Sequence, residues 1–197
     1  MQKKRLSVKI RVLSAIMSLV LIVLDQWTKY LAVTYLKPVG FVRFIPSVLN
    51  LFYLENRGAA FGLFSGQRWV FLIITAVIIF VGIYLLAANK IHSKWLLFTV
   101  HLIVAGGIGN MIDRMFRGGA FLDGFVVDFL QFQFIDFPVF NLADCFVTVG
   151  SVMVICYLLA DIVLSYRQGE GTKAGNHTLQ SENRGDSPRS GGDGSDS

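Results

Sequence analysis

Four apolar stretches, each close to the length that crosses a bilayer, leave this chain few folds to choose from. They run from about Val12 to Val33, Trp69 to Ala88, Trp95 to Ile112 and Cys145 to Tyr166, and the second carries no charge at all. A helix needs ~20 residues to span the hydrocarbon core. Composition agrees: 16% of residues are charged, where a soluble domain of ordinary make-up has about 25%. Seventeen phenylalanines suit membrane helices and their interfacial belts. The first stretch follows a basic start, as a secretory signal does. No small-residue cleavage site follows it and Asp25 to Lys29 comes next, so it reads as a retained helix.

Orientation follows from lysine and arginine. Lys3, Lys4, Arg5, Lys9 and Arg11 crowd the N-terminus, and Lys90 and Lys94 lie in the short link after the second stretch. Both places belong in the cytoplasm, and an even number of spans returns the C-terminus there. The net charge of +5 is concentrated in that flank rather than on one face of a folded domain, which suits anionic lipids and argues against nucleic acid. From Gln168 to Ser197, Gly, Ser, Asn and charged residues dominate and aromatics vanish. That segment reads as a disordered cytoplasmic tail, 168–197, after a membrane domain of 1–167.

Two regions then face outward, Leu36 to Arg68 and Asp113 to Asp144. Val48 to Leu54 is rich in strand formers between Pro46 and Gly58, which predicts a small sheet at the membrane surface. The second region mixes glycines with aromatics and reads as a loop or a short interfacial helix. The expected fold class is an all-α membrane protein. It has four transmembrane helices, a small extracytoplasmic β-sheet and an extracytoplasmic loop or interfacial helix.

Polar residues gather at the outward ends of the apolar stretches. Asp25 and Lys29 lie near the end of the first, Asn110, Asp113 and Arg114 end the third, and Asn141 and Asp144 open the fourth. Asp128 sits in the apolar run Phe125 to Leu130. Ionisable groups at membrane depth are costly and have partners or a function. A single such aspartate more often caps a helix or pairs with an arginine. Two on the same membrane face, Asp128 and Asp144, suit a pair that shares a proton and activates water, the logic of aspartic proteases. Asp25 and Lys29, at i and i+4, suit an ion pair on one helix face. Asp113 beside Arg114 reads as structural first, and Arg114 also suits a lipid head group or carboxylate. Asn56, ahead of Gly58, either binds a peptide backbone or closes a turn. Asn110 and Asn141 have the same two readings, with helix–helix bonding as the second. His101 is alone on its helix, which argues against a metal site. Cys145 and Cys156 read as buried small hydrophobes.

These segments resemble the lipoprotein signal peptidases, also called signal peptidase II. The resemblance rests on Asp25-Gln26-Trp27-Thr28-Lys29, Asn56-Arg57-Gly58-Ala59-Ala60-Phe61, Gly109-Asn110-Met111-Ile112-Asp113-Arg114, Val126-Val127-Asp128-Phe129 and Phe140-Asn141-Leu142-Ala143-Asp144, in that order. It implies an aspartyl endopeptidase of the bacterial cytoplasmic membrane, working at its outer face. Such an enzyme cuts prolipoproteins on the amino side of a diacylglyceryl-modified cysteine. The resemblance makes Asp128 and Asp144 catalytic. Asp25, Lys29, Asn56, Gly58, Asn110, Asp113, Arg114, Asn141 and Ala143 become supporting or substrate-contacting residues. It implies no metal or organic cofactor, membrane lipids as surroundings, and sensitivity to the cyclic peptide globomycin. Two other classes stay open on the residues alone: a transport or binding protein with the aspartates as ion sites, and a membrane hydrolase acting on lipids.

Overall fold

The computed structural model describes residues 6–58 and 68–185. Helix α1 (Val8–Leu31) runs into a five-residue π-helical turn, Ala32–Leu36, and then come β1 (Phe41–Ile45) and β2 (Leu49–Asn56). After these follow α2 (Arg68–Ala87), α3 (Lys94–Phe116), β3 (Val126–Phe132) and α4 (Leu142–Gly185). All four apolar stretches fall on helices. Of these, α3 and the Leu142–Tyr166 part of α4 are long and apolar enough to cross a membrane. The helical backbone of α4 continues to Gly185, past Gln168 where the composition changes. Residues Met1–Ile155 form one compact unit, which holds the sheet and the candidate site, and Cys156–Ser197 form another.

Helix α3 is the centre of the first unit. Its apolar span is 61% buried, against 6% for that of α4. It packs on α1 and α2, and Gly106 lies so close to α4 that a Cβ would strike the Ala143 carbonyl oxygen. Ser93 starts it by accepting the Leu96 N–H at 3.4 Å, a serine cap of the usual kind. The Ser18 hydroxyl meets His101 Nδ1 at 2.7 Å and ties α1 to α3, so His101 has a buried polar partner. A core of Ile91, Leu97, Val100 and Val104 closes the end of the bundle near the α2–α3 link. Away from α3, large apolar side chains such as Leu19, Val23, Phe80 and Ile155 are exposed, as expected of a lipid-facing surface. Both cysteines are free, but Cys145 is only half-buried and Cys156 is exposed. The expectation of two buried thiols fails because α4 turns most of its surface outward.

The three strands form one antiparallel sheet in the order β1-β2-β3. The β1–β2 turn places Ser47 at φ 62. The sheet packs on the π-helical turn through Ala32, Leu36, Val127 and Phe129. The expected small sheet is therefore present, and it takes in a strand the sequence did not announce. Asp128 lies on β3, where a loop or interfacial helix was expected. The run Val126 to Phe129 is buried throughout. A strand covered on both faces shows no polar–apolar alternation for a sequence reading to find.

Candidate active site

Asp128 and Asp144 arrive at one place by different routes. Asp144 belongs to the first turn of α4. The Asn141 side-chain oxygen accepts the Asp144 N–H at 3.0 Å, and Asp144 Oδ2 accepts the Asn141 N–H at 3.1 Å. This is a capping box built from Asn and Asp, and it starts the helix at Leu142 rather than at Cys145. The same Asn141 turns its Nδ2 to Asp128 Oδ1 at 2.6 Å, so one residue holds both carboxylates, that of Asp128 by its side-chain amide and that of Asp144 by its backbone N–H.

A β-bulge brings the second amide to Asp128. Leu51 pairs with Leu130 and Leu54 with Asp128, so two residues of β2 oppose one residue of β3. Cross-strand partners share a face, and a slip of one residue swaps faces. Continued without the bulge, the register would put Glu55 opposite Val126, where the bulge puts Asn56. The extra residue therefore gives Asp128 a neutral amide in place of a third carboxylate. Asn56 Nδ2 donates to Asp128 Oδ2 at 2.8 Å. The Gly58 N–H donates to the Asn56 side-chain oxygen at 3.0 Å and fixes which end of the amide faces the acid.

The Asp144 carboxylate has its own amide, with Asn110 Nδ2 donating to Oδ1 at 2.7 Å. Asn110 presents that end because its oxygen is taken by Lys29 Nζ at 2.8 Å and Asn141 Nδ2 at 3.1 Å. Asp128 is 1% exposed. Burial pushes its carboxyl up to about 7, and the charge of Asp144 adds to the rise. The Asn56 and Asn141 amides and the Lys29 ammonium pull the other way. Half-buried Arg114 has Asp144, Asp128 and Asp113 as the charges that act on it.

Beneath this pair lies a second pair of carboxylates, Asp25 and Asp113, with Lys29 between them. All three are fully buried. The three ammonium protons find three acceptors: Asp25 Oδ2 at 2.9 Å, Asp113 Oδ2 at 3.0 Å and Asn110 Oδ1 at 2.8 Å. Each of these carboxylates also grips the backbone next to one of the upper pair. Asp25 Oδ1 accepts the Ala143 N–H at 3.0 Å, one residue before Asp144. Asp113 Oδ2 accepts the Val127 N–H at 3.2 Å, one residue before Asp128. Lys29 thus spans the two peptide groups that carry the upper aspartates and sets their spacing. Gly109 leaves the room for it, since a Cβ there would run into the Asp25 carboxylate.

Asp25, Lys29, Asn56, Gly58, Asn110, Asp113, Arg114, Asp128, Asn141, Ala143 and Asp144, the site residues expected from the sequence, all lie in or beside this cluster. Ala59, Ala60 and Phe61 of the second motif lie outside the described residues. Two further members went unnoticed. Gln26 Nε2 donates to Asp25 Oδ2, the Gly109 carbonyl and Asp113 Oδ1 at 3.1, 3.0 and 3.3 Å. Arg117 Nε reaches Asp113 Oδ1 at 2.7 Å. Helical spacing held the signal for both: Gln26 precedes Lys29 by three and Arg117 follows Asp113 by four.

Residues 17–160 match the family model described as signal peptidase (SPase) II. The lipoprotein signal peptidase of Streptococcus thermophilus is 42% identical over 140 residues, 71% of this chain and 88% of that one. That of Enterococcus faecalis is 40% identical over 146 residues, 74% and 87% of the two chains. A solved structure described as a bacterial membrane enzyme, obtained by the in meso method, superposes with a TM-score of 0.70 at 32% identity. It covers 82% of this chain and 94% of its own.

Proposed function

The chain belongs to the signal peptidase II family, and on that premise we propose that it is an aspartyl endopeptidase. Its substrates are bacterial prolipoproteins, cut on the amino side of a diacylglyceryl-modified cysteine. The observation that carries the mechanism is the Asn141 amide, bonded to the carboxylate of Asp128 and capped into the same turn as Asp144. A buried carboxylate and a half-buried one, both bonded to the same asparagine, resist double ionisation and hold one proton between them near neutrality. The charged member takes a proton from water as it attacks the scissile carbonyl. The protonated member donates to the carbonyl oxygen, where charge develops. The tetrahedral intermediate then collapses: the aspartate that took the proton from water passes it to the departing amine, the other regains a proton from the intermediate's hydroxyl, and no acyl-enzyme forms. Asn56, Asn110 and Asn141 hold the carboxylates in position, and Arg114 would meet a substrate head group or carboxylate. Globomycin would occupy the same substrate site.

Four helices, α1, α2, α3 and the first part of α4, cross the bacterial cytoplasmic membrane in this reading. Both termini are cytoplasmic and the sheet lies on the outer face. Substrate acyl chains stay in the bilayer, so the lipid anchor delivers the cleavage site to the pair and orientation supplies part of the rate. The test is cleavage of a diacylglyceryl-modified prolipoprotein by the purified protein and by Asp128→Asn and Asp144→Asn. Cleavage before the modified cysteine by the wild type alone, with both variants folded, is the expected result. Cleavage that survives either substitution removes the two-aspartate mechanism.

A further inference from the structure

The strand register assembles an apolar fringe at the end of the sheet opposite Asn56. There Ile45 pairs with Leu49, and Leu49 with Phe132. The Gln133 N–H donates to the Val48 carbonyl at 3.0 Å. The β1–β2 turn and the segment that leaves β3 are therefore side by side. Phe44 (59%), Ile45 (44%) and Val48 (44%) are exposed on one, and Phe134 (66%) and Ile135 (52%) on the other. The fringe is braced rather than loose. The Phe134 ring lies 5.3 Å from that of Phe132, which lies 4.9 Å from that of Phe140. Phe140 in turn bridges to Leu130.

We infer that this fringe is a lipid anchor, seated where the outer-leaflet head groups meet the acyl chains. Three observations choose lipid over a protein partner. On the β3 side the fringe is tied to a segment that runs straight into an apolar helix: the Phe140 ring lies against that of Phe132, and only Asn141 separates Phe140 from α4. Its exposed side chains are aromatic and aliphatic, the make-up of the face that interfacial segments bury among lipid acyl chains. Arg43, exposed in the middle of β1, places a cation where anionic lipid phosphates lie. Because Phe140 passes directly into Asn141 and the capping box of Asp144, the depth of the anchor fixes the depth of the aspartates. The anchor holds them at the level where a lipidated peptide emerges from the bilayer.

The inference rests on the membrane reading above, so its test keeps the two apart. Single cysteines replace Phe44, Phe134, Phe80 and Lys90 in a Cys145→Ser, Cys156→Ser background. Each protein is spin-labelled and reconstituted into vesicles of zwitterionic and anionic phospholipid. Collisions with oxygen, which concentrates in hydrocarbon, are compared with collisions with a water-soluble nickel chelate. The expected order is hydrocarbon-like at 80, water-like at 90, and intermediate at 44 and 134. A water-like signal at 44 and 134 with a hydrocarbon-like signal at 80 overturns the anchor alone. A water-like signal at 80 overturns the membrane reading itself.

Discussion

Two pairs of carboxylates lie next to one another in this protein, and only one of them has a lysine between its members. Asp25 and Asp113 share the Lys29 ammonium, with Arg117 as a second cation on Asp113. Asp128 and Asp144 receive their direct hydrogen bonds from Asn56, Asn110 and Asn141. Amides solvate a negative charge without cancelling it. The lower pair is an ion-paired frame. The upper pair is held in place by that frame and bonded directly by amides alone, which suits the proposed exchange of protons with a substrate.

The sharpest way to break this comparison is to disable each pair and ask what is lost. Asp144→Asn should lower kcat by about 10⁴-fold or more, the scale seen when one member of a catalytic unit is disabled. It should lower the thermal unfolding midpoint in detergent by only about a few degrees, the scale of one lost cap bond. Lys29→Met should do the reverse. It strands two fully buried carboxylates, and removing one partner of a buried ion pair costs about 3–5 kcal/mol. The expected result is a protein that unfolds early in a detergent thermal scan. Any fraction that folds should lose activity through misplaced aspartates. A stable Lys29→Met protein would show that Asp25 and Asp113 are not both ionised, and the contrast between the pairs would fall.

A smaller effect sharpens the proton inventory of the upper pair. With the Asp128 carboxyl at about 7, activity that needs one shared proton should decline as pH rises through about 7. The Asn56 amide stabilises the charged form of Asp128, so Asn56→Ala removes a force that lowers its pKa. The alkaline limb of the kcat profile should therefore move to higher pH. An unpaired acceptor is also left behind, which costs the fold about 1–3 kcal/mol. A limb that moves to lower pH, or stays where it was, would mean that Asp128 is not the group titrating in the rate.

The helices were legible because their signal is local. Four apolar stretches carry the bundle, and each falls on a helix. The acidic and amide residues were legible because a polar side chain in an apolar run is conspicuous. The division of labour among them was not. Asp25 and Lys29 announce an ion pair at i and i+4, but the grip of Asp25 on the Ala143 N–H spans 118 residues, and no periodicity encodes that. The bulge between Leu51 and Leu54 was equally hidden, because Phe52 and Tyr53 carry no mark of an irregular register. Strand β3 was missed for the opposite reason: it is buried on both faces, so the alternation that betrays a strand is missing. Gln26 stood inside a motif and was passed over, since a neutral side chain beside Asp25 draws less notice than a charge.

The least consequential ion pair in the region completes the contrast. Lys37 Nζ bonds Glu55 Oε1 at 2.8 Å, and the Tyr53 hydroxyl donates to the same oxygen at 3.2 Å. Lys37 is half-exposed, and water screens what burial concentrates around Lys29. Exposed pairs of this kind contribute little, so Glu55→Gln should shift the thermal midpoint by about a degree or two at most. Its value lies in the neighbour. Glu55 precedes Asn56 on β2, and Arg57 stacks on Phe125 at 5.2 Å just after it. If the bulge and the β3 pairing alone aim Asn56 at Asp128, kcat and its alkaline limb should be unchanged in Glu55→Gln. A displaced limb would show that the surface charges help to aim the amide, and that the site's frame extends beyond the buried lysine to the rim of the sheet.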